Sequence, residues 1–220
     1  VQTPDELQQL VEAVVVPETW FFRNAQAFEA MVRDALLPRL CADPAAVVRL
    51  LSLPCSTGEE AYTMAMALLD AGVPGRRFTI DAMDISRHAI EQAQAGVYGR
   101  NSFRGHDLGF RDRHFEATPH GWRLRDEVRA PVRFVHGNIF APGALAQGAP
   151  FDVIFCRNLL IYFDPARQKQ AIGVLARMLA PEGMLFVGHS EAGLMRSEGF
   201  VPAGMAMSFS FRRAPLPADG

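Results

Sequence analysis

From Val47 onward the chain alternates short apolar runs with capped, amphipathic stretches, and that alternation constrains the fold more than any other feature. Val47–Leu53 reads as a strand and Glu59–Ala71 as a helix stopped by Gly72 and Pro74. Phe78–Met83 is a second strand, and a helix follows to Ala95 with Ser86 as its N-cap and Gly96 beyond its end. Strand–helix–strand–helix order requires a parallel sheet, because parallel neighbours need a crossover. Val132–His136, the near-continuous apolar run Phe151–Phe155 and Met184–Gly188 add strands, and Asp164 caps a helix over Pro165–Leu179. Near the end, Gly199–Pro202 and Ala206–Arg212 predict an antiparallel hairpin turning at Ala203–Gly204. The expected class is α/β, a mostly parallel sheet with a C-terminal antiparallel hairpin.

Two regions stand outside the alternation. Ahead of the sheet, Asn24 is expected to cap a helix from Ala25 to about Leu40, whose apolar face is Phe28, Met31, Val32, Ala35 and Leu36. Between Tyr98 and Pro131 the residues are locally basic in a chain of net charge -2. His114–Thr118 and Trp122–Arg125 there predict a small hairpin about Pro119–Gly121, hence a β-rich insert. Phe115 and Trp122 are costly to expose, so the insert is expected to meet a partner, a solvated arginine-bearing connection being the alternative. The division is 1–24 as the last helix of an N-terminal region with a linker, 25–213 as one domain with an insert at about 98–131, and 214–220 as a linker or cut end.

With 220 residues, 49% of them hydrophobic, the chain can build one substantial core. The slight negative charge argues against nucleic acid, and no apolar run reaches bilayer length. Cys41, Cys55 and Cys156 lack metal-ligand spacing and read as reduced, buried thiols, so the expected location is cytoplasmic and no metal is expected. Val1–Leu10 has no signal-peptide pattern, and a start without Met reads as a trimmed chain.

Ligands of open α/β sheets sit outside the carboxyl ends of the strands. The loop Pro54–Gly58 offers backbone N–H groups and a helix N-terminus to a ligand carboxylate, while Glu59 and Glu60 favour a cation; acids in a first helical turn also occur for dipole reasons alone. With one glycine it is no pyrophosphate cradle. Asp84, closing the second strand, is placed to accept ribose hydroxyls, with Asp81 the competitor. Asn138 and Ile139 suit an adenine edge, or Asn138 is a turn residue. Arg157, Asn158 and Tyr162 follow the Phe151 strand into the crevice. Thr19 and Arg23 flank Trp20–Phe22, which either anchor a site segment or plug the core. His189 and Glu191 read as structural. No triad or metal cluster appears, which disfavours a hydrolase.

Glu18–Arg23, Ser56–Glu60, Asp84–Ser86, Phe155–Asp164 and Gly188–Glu191 together resemble the CheR-type chemotaxis receptor methyltransferases over about Val16–Arg212. The resemblance implies a class I methyltransferase (Rossmann-like) fold. It also implies methyl transfer from S-adenosylmethionine to glutamates of a chemoreceptor-like protein, with S-adenosylhomocysteine as product. It carries Thr19, Arg23, Glu60, Asp84, Asn138, Ile139, Arg157 and Asn158 onto cofactor contacts, and Arg23 and Tyr162 onto residues near the transferred methyl. Pro17 departs from the asparagine many members carry. The implied partners are the cytoplasmic helical region of the receptor and a receptor peptide at the insert. The chain is expected to be a monomer without membrane insertion. The alternatives are a cofactor-binding signalling module lacking turnover and, more distantly, an NAD-dependent oxidoreductase that the missing glycines disfavour.

Overall fold

Strands apolar on both faces must be covered by helices on both sides, and this requirement organises the chain. The computed structural model describes residues 4–15, 18–105, 107–141 and 150–214. Its strands are β1 (Val48–Ser52), β2 (Phe78–Asp84), β3 (Val97–Tyr98), β4 (Phe115–Thr118), β5 (Gly121–Leu124), β6 (Val132–His136), β7 (Phe151–Cys156), β8 (Leu179–Val187), β9 (Phe200–Ala203) and β10 (Ser210–Arg213). The main sheet runs β6-β2-β1-β7-β8-β10-β9. Its first five strands are mutually parallel, and β10 and β9 close one edge antiparallel, as expected.

Alternation along each strand divides the core. On β7, Val153 and Phe155 enter one layer, and Ile154 and Cys156 the other. The helix that begins at Ala25 covers the first layer, where Phe28 stacks on Phe155 at 5.2 Å and Phe155 on Phe186 at 4.5 Å. Helices Pro165–Met178 and Ala192–Ser197 contribute Leu175 and Met195 to the second. Local capping follows the sequence: Ala89 N–H donates to Ser86 Oγ at 2.9 Å, Arg167 N–H to Asp164 Oδ1 at 2.9 Å, and Gly96 ends its helix at φ 65°.

Several expectations need correction. Asn24 caps nothing with its side chain; it is left-handed at φ 64° and turns the chain into the helix. That helix runs to Ala42 through a π-helical stretch, Met31–Leu36, just ahead of Pro38, which has no N–H for a regular ladder. The C-terminal turn is longer than expected: Met207 and Phe209 adopt positive φ, so β10 starts only at Ser210. β8 begins earlier, at Leu179, through a register shift opposite Phe151 and Val153. Cys41 is exposed, whereas Cys55 and Cys156 are buried.

The insert forms its own sheet, β3-β5-β4. Its aromatic residues face inward, contrary to the partner argument made for them. Phe21 meets Tyr98 at 4.8 Å, Phe115 at 5.0 Å and Phe103 at 5.3 Å, and half-buried Trp122 packs on Phe103 and beneath Arg111. The insert thereby clamps the Glu18–Arg23 segment. Part of its charge is paired, Arg125 with Glu116 and Arg129 with Asp126 within the insert, and Arg113 with Asp70 outside it.

Candidate functional site

The ends of β1, β2 and β7 and the loops that follow them bring together polar side chains that bond to one another across the strand ends. Leaving β1, the chain passes through Ser56 at φ 49° and Gly58 at φ 94° before the helix Glu59–Asp70. Gly58 is required: a Cβ there would lie 2.8 Å from Ala93 Cβ and 3.0 Å from the Tyr98 hydroxyl. The loop N–H groups expected to receive a ligand carboxylate are largely committed within the protein. Cys55 N–H donates to Met83 O, Ser56 N–H to Asp84 Oδ2 at 2.7 Å, and Gly58 N–H to Cys55 O.

Of the two acids at the start of the following helix, Glu59 is structural. Buried, it accepts from Thr57 Oγ1 at 2.6 Å and Ser102 Oγ at 2.8 Å, tying the loop to the insert. Glu60 reaches back to the strand ends, accepting from Ser52 Oγ at 2.7 Å and pairing with Arg157 at 3.3 Å. Burial raises the carboxyl of Glu60 above its usual range against the pull of Arg157. Arg157 also donates to Arg23 O at 3.0 Å, while its Nε is buried without a protein partner. Arg23 donates to Glu18 O and lies over Trp20 at 4.5 Å, so the segment ahead of the first sheet helix is tied to these strand ends.

Asp84 and Asp81 separate cleanly. Asp81 is held by Arg49 at 3.1 Å and Arg133 at 2.8 Å in a cross-strand ion cluster. Asp84, 3% exposed at the end of β2, accepts from Ser56 N–H and, at 2.9 Å, from Ser86 N–H; burial raises its pKa despite these bonds. Ser56 Oγ beside it is another buried atom without a protein partner. Asn138 is exposed and accepts Phe140 N–H at 2.9 Å, which is the turn geometry, while Ile139 packs on the second core layer. Asn158 sits at φ 59°, and Tyr162 is 75% exposed in the 3₁₀ turn Leu160–Tyr162. Thr19 is half-buried just ahead of Trp20.

Glu191, read from sequence only as structural, builds the loop that carries these last residues. Fully buried, its Oε2 accepts Gly188 N–H at 2.7 Å and Asn158 N–H at 2.9 Å. Its Oε1 accepts Leu159 N–H at 2.8 Å and Leu160 N–H at 2.7 Å. Gly188 leaves room for the carboxylate, since a Cβ would sit 2.7 Å from Oε2. The only sequence signal for this arrangement is a glycine after a strand with an acid three residues on.

The donor set fits S-adenosylmethionine: carboxylates for an ammonium and for ribose hydroxyls, and an unsatisfied guanidinium Nε for a carboxylate. Among the described residues there is no His, Cys, Asp and Glu cluster suited to a metal, and no helix long and apolar enough to cross a membrane.

Residues 17–204 match the family model of the SAM-binding domain of CheR methyltransferases. The chain is 54% identical over 213 residues to a Pseudomonas aeruginosa protein named probable biofilm formation methyltransferase WspC, covering 96% of this chain and 50% of that protein. A Pseudomonas putida protein of the same name is 47% identical over 99% of this chain and 52% of its own length. The chemotaxis protein methyltransferase of Escherichia coli is 33% identical over 86% of this chain and 66% of that protein. The chain thus spans about half the length of the two Pseudomonas relatives.

Proposed function

The chain belongs to the CheR methyltransferase family, and from that premise we propose that it transfers a methyl group from S-adenosylmethionine to glutamate side chains of a chemoreceptor-like protein. The observation that carries the reading is the strand-end constellation of Glu60, Arg157 and Asp84, with buried, unpartnered donors at Arg157 Nε and Ser56 Oγ. Glu60 would hold the methionyl ammonium, Arg157 with Asn158 the methionyl end, Asp84 the ribose hydroxyls, and Asn138 with Ile139 the adenine. Thr19 and Arg23 close the cofactor side from the N-terminal segment.

The bound cofactor supplies an electrophilic sulfonium methyl, which passes to a carboxylate oxygen and leaves S-adenosylhomocysteine. The acceptor glutamate is ionised at neutral pH, so the protein needs to orient and partly desolvate it rather than remove a proton. Arg23, with its guanidinium on the Trp20 ring, grips that carboxylate, and the exposed Tyr162 hydroxyl hydrogen-bonds it at the mouth. The outer edge of β4, which among the described residues pairs only with β5, is the place for a receptor peptide to add as a strand. Higher identity to relatives named for biofilm formation than to the one named for chemotaxis favours a receptor of a biofilm-forming system. The chain is proposed to act as a cytoplasmic monomer.

The test is calorimetric titration with S-adenosylmethionine and S-adenosylhomocysteine. Asp84→Ala is expected to weaken both by about one to two decades, the worth of a charge-assisted hydrogen bond. Undiminished affinity in a folded variant would remove Asp84 from the site.

A further inference from the structure

The helix Pro4–Val14 lies far in sequence from the sheet, yet one side of it is bonded to the turn that leaves β2. Gln8 and Glu12, one helical turn apart, share that side. Gln8 Nε2 donates to Ile85 O at 3.1 Å and to Glu12 Oε1 at 2.6 Å. Glu12 Oε2 accepts from Ser86 Oγ at 2.5 Å, and Oε1 from Arg87 N–H at 2.8 Å, with His88 N–H farther off at 3.5 Å.

These contacts answer a need of the helix Arg87–Ala95. It has no acid in its first turn; Arg87 and His88 stand there, where the positive end of the helix dipole disfavours cations. Glu12 supplies the missing negative charge from outside. Burial pulls its carboxyl upward, but the bonds from Ser86, Gln8, Arg87 and His88 outweigh that and hold it below its usual value, as an anion.

Ser86 is the shared member of a chain of bonds. Its hydroxyl donates to Glu12, and its N–H donates to Asp84 Oδ1, whose other oxygen takes Ser56 N–H. We infer that Glu12 is a positioning residue for the cofactor: through Ser86 it fixes the carboxylate of Asp84, so the N-terminal helix and the ribose-binding wall act as one unit. This rests on Asp84 being the ribose acceptor, as proposed above. It follows that whatever engages this helix is coupled to cofactor affinity through it.

Titration calorimetry with S-adenosylhomocysteine tests the inference, on protein that retains residues 1–15. Glu12→Ala is expected to weaken binding about three- to tenfold, the range of a helix-terminal charge together with a lost hydrogen bond. Glu12→Gln, which keeps an acceptor for Ser86 and stands in should the alanine variant not fold, should recover part of that loss. Ser86→Ala should weaken binding similarly, and the double variant should be little worse than either single one, because both break the same chain. A merely structural Glu12 would lower the melting temperature without this coupling. Native affinity in a folded Glu12→Ala, or additive losses in the double variant, would overturn the inference. Native affinity in Asp84→Ala would instead overturn the site reading beneath it.

Discussion

Replacing Glu191 with glutamine should cost this protein a large part of its stability, although the change removes one charge and almost no volume. The carboxylate is fully buried and accepts four backbone N–H groups, two on each oxygen, from Gly188, Asn158, Leu159 and Leu160. A glutamine amide offers one acceptor oxygen, and its NH₂ would face two of those N–H donors. At about 1.5–3 kcal/mol for each hydrogen bond to a charged group, the loss is roughly 3–6 kcal/mol. Against a typical total of about 5–15 kcal/mol that is severe, and for a chain of this size it lowers the melting temperature by about 6–24 °C. Thermal and urea unfolding give the stability, and titration with S-adenosylhomocysteine below the transition gives the effect on the site. Because the same loop presents Arg157, Asn158 and Tyr162, affinity should fall with stability. A variant within about 1 kcal/mol of the parent, with native affinity, would refute the claim that Glu191 builds the loop.

Other positions carry separate expectations. Gly58→Ala places a methyl 2.8 Å from Ala93 Cβ at a φ of +94°, so urea unfolding should show a loss of about 2–4 kcal/mol, and a neutral result would mean that the loop relocates freely. The raised carboxyls of Glu60 and Asp84, both caused first by burial, protonate above their ordinary 4.5 and 3.8 as the pH falls. Their contribution to unliganded stability is complete below the unfolded-state values and is lost as pH rises through the folded ones, whereas a cationic ligand requires them ionised. S-adenosylmethionine affinity should therefore decline on acidification before ordinary carboxylates titrate; an affinity that falls only where ordinary carboxylates titrate would contradict this. Tyr162→Phe should lower methyl transfer about tenfold at unchanged cofactor affinity, and a full rate would end the role given to its hydroxyl.

The parallel strands were legible because burial on both faces writes an almost uninterrupted apolar run, as in Phe151–Cys156. Ser86, Asp164 and Gly96 were legible because capping is local. Contacts between distant segments left no such pattern. Ala206–Phe209 alternates like a strand, yet positive φ at Met207 and Phe209 makes it a turn. Phe115 and Trp122 implied an exposed surface, yet Phe115 packs on Phe21, nearly a hundred residues earlier, and Trp122 on Phe103. For the same reason Asp84 could be separated from Asp81 by strand position, whereas the ties of Glu12 to Ser86 and of Glu191 to Leu160 could not be foreseen.

The most direct measurement of the central claim is methyl incorporation from isotope-labelled S-adenosylmethionine into the cytoplasmic fragment of a receptor of the biofilm-forming type, followed by mass spectrometry of the labelled peptides. The account predicts label on glutamate side chains as base-labile methyl esters, reduced by Asp84→Ala at cofactor concentrations that saturate only the parent and strongly reduced by Arg23→Ala at any concentration. Label that is stable to base, or carried on lysine or arginine, would contradict it, as would cofactor binding with no transfer.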